Sequence, residues 1–217
     1  RECRLYVMNS FSQTYLEESI ALIKDLDTHS IEAIAKGLSN LRNREGRLFI
    51  LGVGGSAGHA SHAVNDFRKI CDLESYCPTD NVSELTARVN DEGWDTSFSE
   101  WLKVSRLTSK DALLIFSVGG GNKEKKVSVN LVRAIEYAQE MGSEIYGIVG
   151  KDGGYTKTVA SACCVIPSVS SERITATDEW LIRDIDVDAL YPSIAIVINL
   201  APAHLGELFT QVYSQLP

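Results

Sequence analysis

Apolar residues recur at helical spacing through the first forty positions. Phe11, Tyr15, Leu16, Ile20, Ile23 and Leu26 mark one helix over residues 9–27. Ile31, Ile34, Ala35, Leu38 and Leu41 mark a second over 30–42, with Ser30 as its expected cap and a turn at Asp27–Ser30 before it. The period then changes. Arg47–Leu51 is a short apolar run that predicts a strand, and a helical pattern follows a glycine cluster and runs to about Ile70. Residues 76–83, with Pro78, Thr79, Asp80 and Asn81, predict a loop leading into a short strand or turn. A short helix is expected over Val82–Val89, a polar loop over Asn90–Gly93, and an amphipathic helix over 96–107 with Phe98, Trp101, Leu102, Val104 and Leu107 inward. Strand Ala112–Phe116, helix Val127–Met141 and strand Glu144–Val149 come next, then a turn at Lys151–Gly154, a short helix near Tyr155–Ala160 and a strand at Ala162–Pro167. Strands alternating with helices predict an α/β fold, a parallel sheet covered by helices on both faces.

Composition narrows the class. A chain of 217 residues, 44% hydrophobic and 23% charged, fits one globular domain with a real core. The net charge is −8, and lysine and arginine form no basic block, so nucleic acid is not an expected partner. A local anion site made of backbone amides remains compatible with that charge. The five cysteines, Cys3, Cys71, Cys77, Cys163 and Cys164, are odd in number and irregular in spacing. They predict reduced thiols and a cytoplasmic location, with Cys163 and Cys164 as core thiols. No apolar run approaches the ~18 residues of a membrane span and no export signal is visible, so no membrane partner is expected.

Candidate chemistry lies in two turns. Leu48–Ser56, LFILGVGGS, carries an apolar strand into Gly52, Gly54, Gly55 and Ser56 just before a helix. Asp111–Asn122, DALLIFSVGGGN, repeats the arrangement with Ser117, Gly119, Gly120 and Gly121. Glycines let a backbone approach an anion closely, and the N–H groups and dipole of a helix N-terminus favour negative charge. Two such units suggest one phosphate held between two loops, outside the carboxyl ends of neighbouring strands. The competing account is that the glycines merely make tight turns.

Four segments, GVGGSAGHASHAVNDFRK (52–69), PTDNVSELTARVNDEGW (78–94), SVGGGN (117–122) and GIVGKDGG (147–154), together resemble the sugar isomerase, or SIS, domain. Within that family they are most similar to phosphoheptose isomerases, over about residues 9–175. The resemblance implies a flavodoxin-like three-layer α/β/α sandwich with a parallel five-stranded sheet, preceded by N-terminal helices. The chain then reads as a single SIS domain: helices over 9–42, a core over 47–175 and an atypical segment over 176–217. The implied activity interconverts sedoheptulose 7-phosphate and D-glycero-D-manno-heptose 7-phosphate by proton transfer through an enediol(ate). Family members usually form homotetramers with active sites at subunit interfaces, so a homo-oligomer, tetramer or dimer, is expected.

The resemblance also assigns roles. Ser56, flanked by Gly54 and Gly55, matches a substrate contact, and Ser117 a phosphate contact. Gly119, Gly120 and Gly121 stand where the family carries further hydroxyls, followed by Asn122; backbone amides can replace those hydroxyls. Asn90 and Asp91 match an Asn–Asp pair beside the substrate; the alternative is a turn built on Asx chemistry. Asp66 occupies the position of the family's glutamate base, one methylene shorter. His62 precedes it by one helical turn, and in some relatives the matching pair helps to bind zinc. One histidine plus one aspartate is half a zinc site. His59 is expected to be solvent-facing or structural.

The C-terminal segment departs from the family. SSERI (170–174) resembles the approach to the last family helix, and Glu179 stands for its first acidic or amide position. Eight residues on is Val187, where the family has a proton-transferring histidine, and Thr175 is followed by Ala176 and Thr177 in place of a Thr-Pro-His motif. His204 is the remaining downstream histidine. DIDVDALYPSIAI (184–196) resembles a polymerase-palm signature with Asp186 as a metal ligand; the second carboxylate motif and the space for such a fold are missing, so polymerase activity is not expected. A helix is expected to extend over Ser193–Leu200, with Pro202 able to restart one. The functions left open are a sugar-phosphate isomerase, a catalytically impaired SIS module that binds a sugar phosphate as a regulator or scaffold, and a chimeric chain with a vestigial fold.

Overall fold

A computed structural model of the chain describes residues 11–167. In order, its elements are α1 (Phe11–Lys24), α2 (Thr28–Asn43), β1 (Leu48–Leu51), α3 (Gly55–Lys69), β2 (Ser75–Tyr76), α4 (Val82–Glu92), a 3₁₀ turn at Trp94–Thr96 and α5 (Ser97–Val104). They continue with β3 (Ala112–Ser117), α6 (Val129–Met141), β4 (Glu144–Val149), α7 (Gly154–Val159) and β5 (Ala162–Val165). The five strands form one sheet, all parallel, in the order β2-β1-β3-β4-β5.

Alternation along each strand divides the core in two. Leu48 and Ile50 of β1 and Ala112, Leu114 and Phe116 of β3 pack with Ile34, Leu38 and Leu41 of α2 and with Ala60, Ala63 and Phe67 of α3. Phe49 and Leu51 of β1 and Leu113 and Ile115 of β3 pack on the other side with Phe98 and Leu102 of α5 and with Leu131, Ile135 and Ala138 of α6. The result is the expected three-layer α/β/α sandwich. Strands covered on both faces have no polar side, which is why LFIL and ALLIF are continuous apolar runs rather than alternating ones.

Several boundaries differ from expectation, each for a local reason. The cap of α2 is Asp27, not Ser30: the Asp27 carboxylate accepts from the His29 amide, and Ser30 Oγ donates to the same carboxylate. The edge strand β2 has only two residues, too few to carry a pattern. Helix α4 runs on to Glu92, so Asn90 and Asp91 sit in its last turn rather than in a loop; Gly93, at φ 87°, ends it. The amphipathic stretch after it divides into the 3₁₀ turn and a shorter α5, which leaves Val104 exposed. Helix α6 starts at Val129 because Val127 is paired with Asn122 instead.

At the amino end of the sheet, Arg47 holds Asp111. Its guanidinium donates to both carboxylate oxygens (3.1 and 2.8 Å) and to the carbonyls of Ser105 and Arg106. Asp111 is buried and also accepts from the amides of Arg47 and Thr108. Burial pushes its carboxyl upward, but the bonds from Arg47 and Thr108 outweigh that and hold it below 3.8. A depressed carboxylate stabilises the fold above its unfolded pKa and loses that contribution as pH falls through the folded one. We therefore expect Asp111→Ala to cost about 3 kcal/mol at pH 7. Urea melts of the two proteins should keep their gap down to about pH 4 and converge only below that, as the pH falls through the depressed carboxyl. A constant gap down to pH 2 would contradict the assignment.

Candidate functional site

The strand order creates the site. From β1 the chain crosses through α3 to β2 at one edge, then returns past β1 to β3 and continues to β4 and β5. Helix α3 covers one face of the sheet and α6 the other, so the connections leaving β1 and β3 diverge. In open parallel sheets such a switch point is where a ligand crevice lies, at the carboxyl ends of the strands. Leu51 pairs with Ile115. The two glycine turns therefore begin one strand spacing, about 5 Å, apart and at the same end of the sheet.

The first turn is open. Gly54 caps α3 at φ 65°, and a Cβ added at Gly54 or Gly55 would meet nothing within 4 Å. The Ala57 and Gly58 amides bond back to Gly54 O, which leaves the Gly55 and Ser56 N–H groups without a partner among the described residues. Those amides and the half-buried Ser56 hydroxyl form a donor surface at the positive end of a 15-residue helix.

The second turn is built differently. Ser117 Oγ accepts from the Gly120 amide (3.0 Å), which folds the turn and leaves the hydroxyl proton free to donate outward. Gly120 and Gly121 have φ of 65° and 79°. A Cβ on Gly120 would come within 1.9 Å of Gly153 O, and one on Gly154 within 2.1 Å of Gly119 O. Gly120 O accepts from the Thr156 amide and hydroxyl, and Gly121 O from the Tyr155 amide. The glycines here pack one loop on another, as the tight-turn account supposes, whereas Gly54 and Gly55 face open space. The amides of Val118 and Gly119 make no hydrogen bond among the described residues. Asn122 is committed to a hairpin: its side chain accepts from the Lys125 amide, and its backbone pairs with Val127 in both directions.

That hairpin brings forward a residue that the sequence pattern did not single out. Lys123–Lys126 loops out, and the chain resumes beside Gly121 at Ser128. Ser128 caps α6 in the left-handed region (φ 50°, ψ 50°), and its hydroxyl makes no cap bond. Leu131 and Val132 donate to Ser128 O, so the Val129 and Asn130 amides point beyond the helix. A serine just ahead of the apolar positions Leu131 and Ile135 is a cap signal, and it was available in the sequence.

Asp66 is half-buried on α3, with His62 Nε2 3.4 Å from Oδ2 and Asn65 Nδ2 donating to Oδ1. Eleven residues separate it from Gly55 along the helix, a rise of about 16 Å. No group of three or more histidine, cysteine, aspartate or glutamate side chains is arranged to hold a metal among the described residues. His62 and Asp66 thus fall short of the three protein ligands of a catalytic zinc site. His59 is half-buried on the same helix. Asn90 Nδ2 donates to Asp91 Oδ1 (2.7 Å), both exposed, and neither bonds to a glycine turn among the described residues. Cys71 and Cys164 are buried in the core, whereas Cys163, expected there too, is only partly buried because alternation along β5 turns it away from the side that holds Cys164. Burial pushes the thiols up, to about 12 at Cys71 and about 11 at Cys163 and Cys164, which disfavours the thiolate at neutral pH. Glu179, Asp186, Val187, His204, Cys3 and the segment 176–217 lie outside the described residues. No described helix is long and apolar enough to cross a membrane.

Comparison with known proteins bears on this geometry. A family model described as SIS domain matches residues 14–150. The probable phosphoheptose isomerase of Thermoplasma volcanium is 31% identical over 161 residues, covering 71% of this chain and 78% of that protein. The lincomycin biosynthesis protein LmbN of Streptomyces lincolnensis is 30% identical over 182 residues; the match spans 79% of this chain and 64% of LmbN, less than two thirds of its length. In fold, a phosphoheptose isomerase from Francisella tularensis superposes with a TM-score of 0.69 at 20% identity, over 91% of this chain and 99% of that one.

Proposed function

The chain belongs to the SIS domain family, and from that premise we propose that it is a sugar-phosphate isomerase of phosphoheptose type. Its substrates are sedoheptulose 7-phosphate and D-glycero-D-manno-heptose 7-phosphate. One observation carries the proposal: β1 and β3 are parallel neighbours, so two donor-rich turns open side by side at a single switch point. Relatives at about 30% identity named as phosphoheptose isomerases support it.

In this reading the phosphate rests on the Gly55 and Ser56 amides, the Ser56 and Ser117 hydroxyls and the Val118 and Gly119 amides. Asp66 is the base. It removes a proton from C1 of the ketose, and the C2 carbonyl oxygen becomes the enediolate oxygen; the proton of the C1 hydroxyl passes to that oxygen, C1 becomes the carbonyl, and a proton returned to C2 completes the aldose. A rise of about 16 Å along α3 exceeds the reach of a seven-carbon chain whose phosphate sits at the start of that helix. The base therefore comes from a neighbouring copy. Helix α1 offers that copy a surface: Leu16, Ile20 and Ile23 are each at least half exposed and share one helical stripe.

The test is deuterium uptake at the carbon beside the carbonyl of sedoheptulose 7-phosphate in deuterated water. Wild type exchanges, and Asp66→Asn lowers exchange by about a thousandfold or more. Mixing Asp66→Asn with the loop variant Ser117→Asp restores about a quarter of wild-type exchange, because random reassembly of a symmetric oligomer pairs intact loops with an intact base at one site in four. Tight binding with no exchange in wild type assigns the chain instead to a binding module. No recovery on mixing places base and loops in one subunit.

A further inference from the structure

Asn130 lies in the first turn of α6 and has no exposed surface. Neither its Nδ2 nor its Oδ1 has a hydrogen-bond partner among the described residues. Buried carboxamides are nearly always satisfied, so this one asks for an explanation. Side chains on a helix lean toward its N-terminus. Here that direction is the carboxyl end of the sheet, where the two glycine turns open.

The neighbourhood suggests what completes the bonding. The 3₁₀ turn Trp94–Thr96 packs against α6. It is joined to α4 through Gly93, which is exposed, has φ 87° and would carry a Cβ into open space. No residue of α4 is buried. The helix that carries Asn130 thus packs against a turn joined through a glycine to a helix with no buried residue. A carboxamide offers two donors and an acceptor, the complement of a hydroxyl pair on a polyol chain.

Resting on the sugar-phosphate reading of this site, we infer that Asn130 reads the sugar: with phosphate held at the turns, its carboxamide takes a hydroxyl of the carbon chain and is satisfied by it. Phosphate alone, which carries no such hydroxyl, gains nothing from Asn130. A group that is unpaired in the protein by itself also contributes nothing to its stability.

Calorimetric titration of wild type and Asn130→Leu with sedoheptulose 7-phosphate, and separately with inorganic phosphate, tests this. Asn130→Leu should weaken the sugar phosphate by about tenfold or more and leave inorganic phosphate unchanged. Its melting temperature in buffer should equal or exceed that of wild type, because an apolar group of similar size replaces an unsatisfied one. A lower melting temperature with unchanged affinities would overturn the inference and make Asn130 a structural residue, for instance one bonded to an internal water. Equal weakening of both ligands would also overturn it, by moving Asn130 to the phosphate. Wild type that binds inorganic phosphate but not the sugar phosphate rejects the sugar reading itself.

Discussion

Ser117→Asp is expected to abolish binding of sedoheptulose 7-phosphate and of inorganic phosphate while the protein still folds. Ser117 Oγ receives the Gly120 amide, and an aspartate oxygen can accept the same donor, so the turn keeps its closing bond. What changes is charge. A carboxylate about 4 Å from a phosphate, at the effective dielectric of a protein surface, costs about 4 kcal/mol, a thousandfold in affinity. Ser117→Ala, which removes the hydroxyl and adds no charge, should cost only about tenfold. Titration calorimetry with a thermal melt of each variant checks both. Normal phosphate binding by Ser117→Asp would move the anion away from β3.

The second large effect is on the scaffold. Gly120→Ala places a methyl 1.9 Å from Gly153 O at a residue with φ 65°. Neither loop can yield cheaply, because Gly120 O is fixed by Thr156 and Gly121 O by Tyr155. Left-handed backbone strain and overpacking together amount to about 2–5 kcal/mol. Gly55→Ala is the contrasting variant: its methyl meets nothing within 4 Å, so the melt should stay as in wild type while the methyl crowds the anion surface. Gly120→Ala is expected to lower the urea midpoint sharply, and Gly55→Ala to lower only phosphate affinity. The reverse pattern would mean that the roles of the two turns have been exchanged.

These contrasts indicate what the sequence could and could not convey. Both turns read alike as glycine clusters after apolar strands, and their position at one end of the sheet followed from two adjacent parallel strands. Their difference did not, since it depends on Gly153 and Gly154, after the neighbouring strand β4, meeting Gly119 and Gly120. The continuous runs LFIL and ALLIF announced buried parallel strands through hydropathy alone. Tyr76 and Ser75 carry no such signal, because a two-residue strand has no period. Asn90 and Asp91 looked like loop residues, yet the helix ends at the one residue free to take φ 87°, Gly93. Ser128 carries a cap signal in the sequence, but its place beside Gly121 depends on the Asn122–Val127 pairing, a contact across four intervening residues. Asp66 was legible as the candidate base by type and place on the helix. Its distance from the anion surface became apparent only once α3 was seen to begin at Gly55.

The most direct test of the account is an amide NMR titration with sedoheptulose 7-phosphate. If one phosphoryl group is gripped by both turns, the resonances of Gly55, Ser56, Val118 and Gly119 move together along a single binding curve. Movement of one turn without the other, or perturbations gathered at the amino end of the sheet around Arg47 and Asp111, would contradict it.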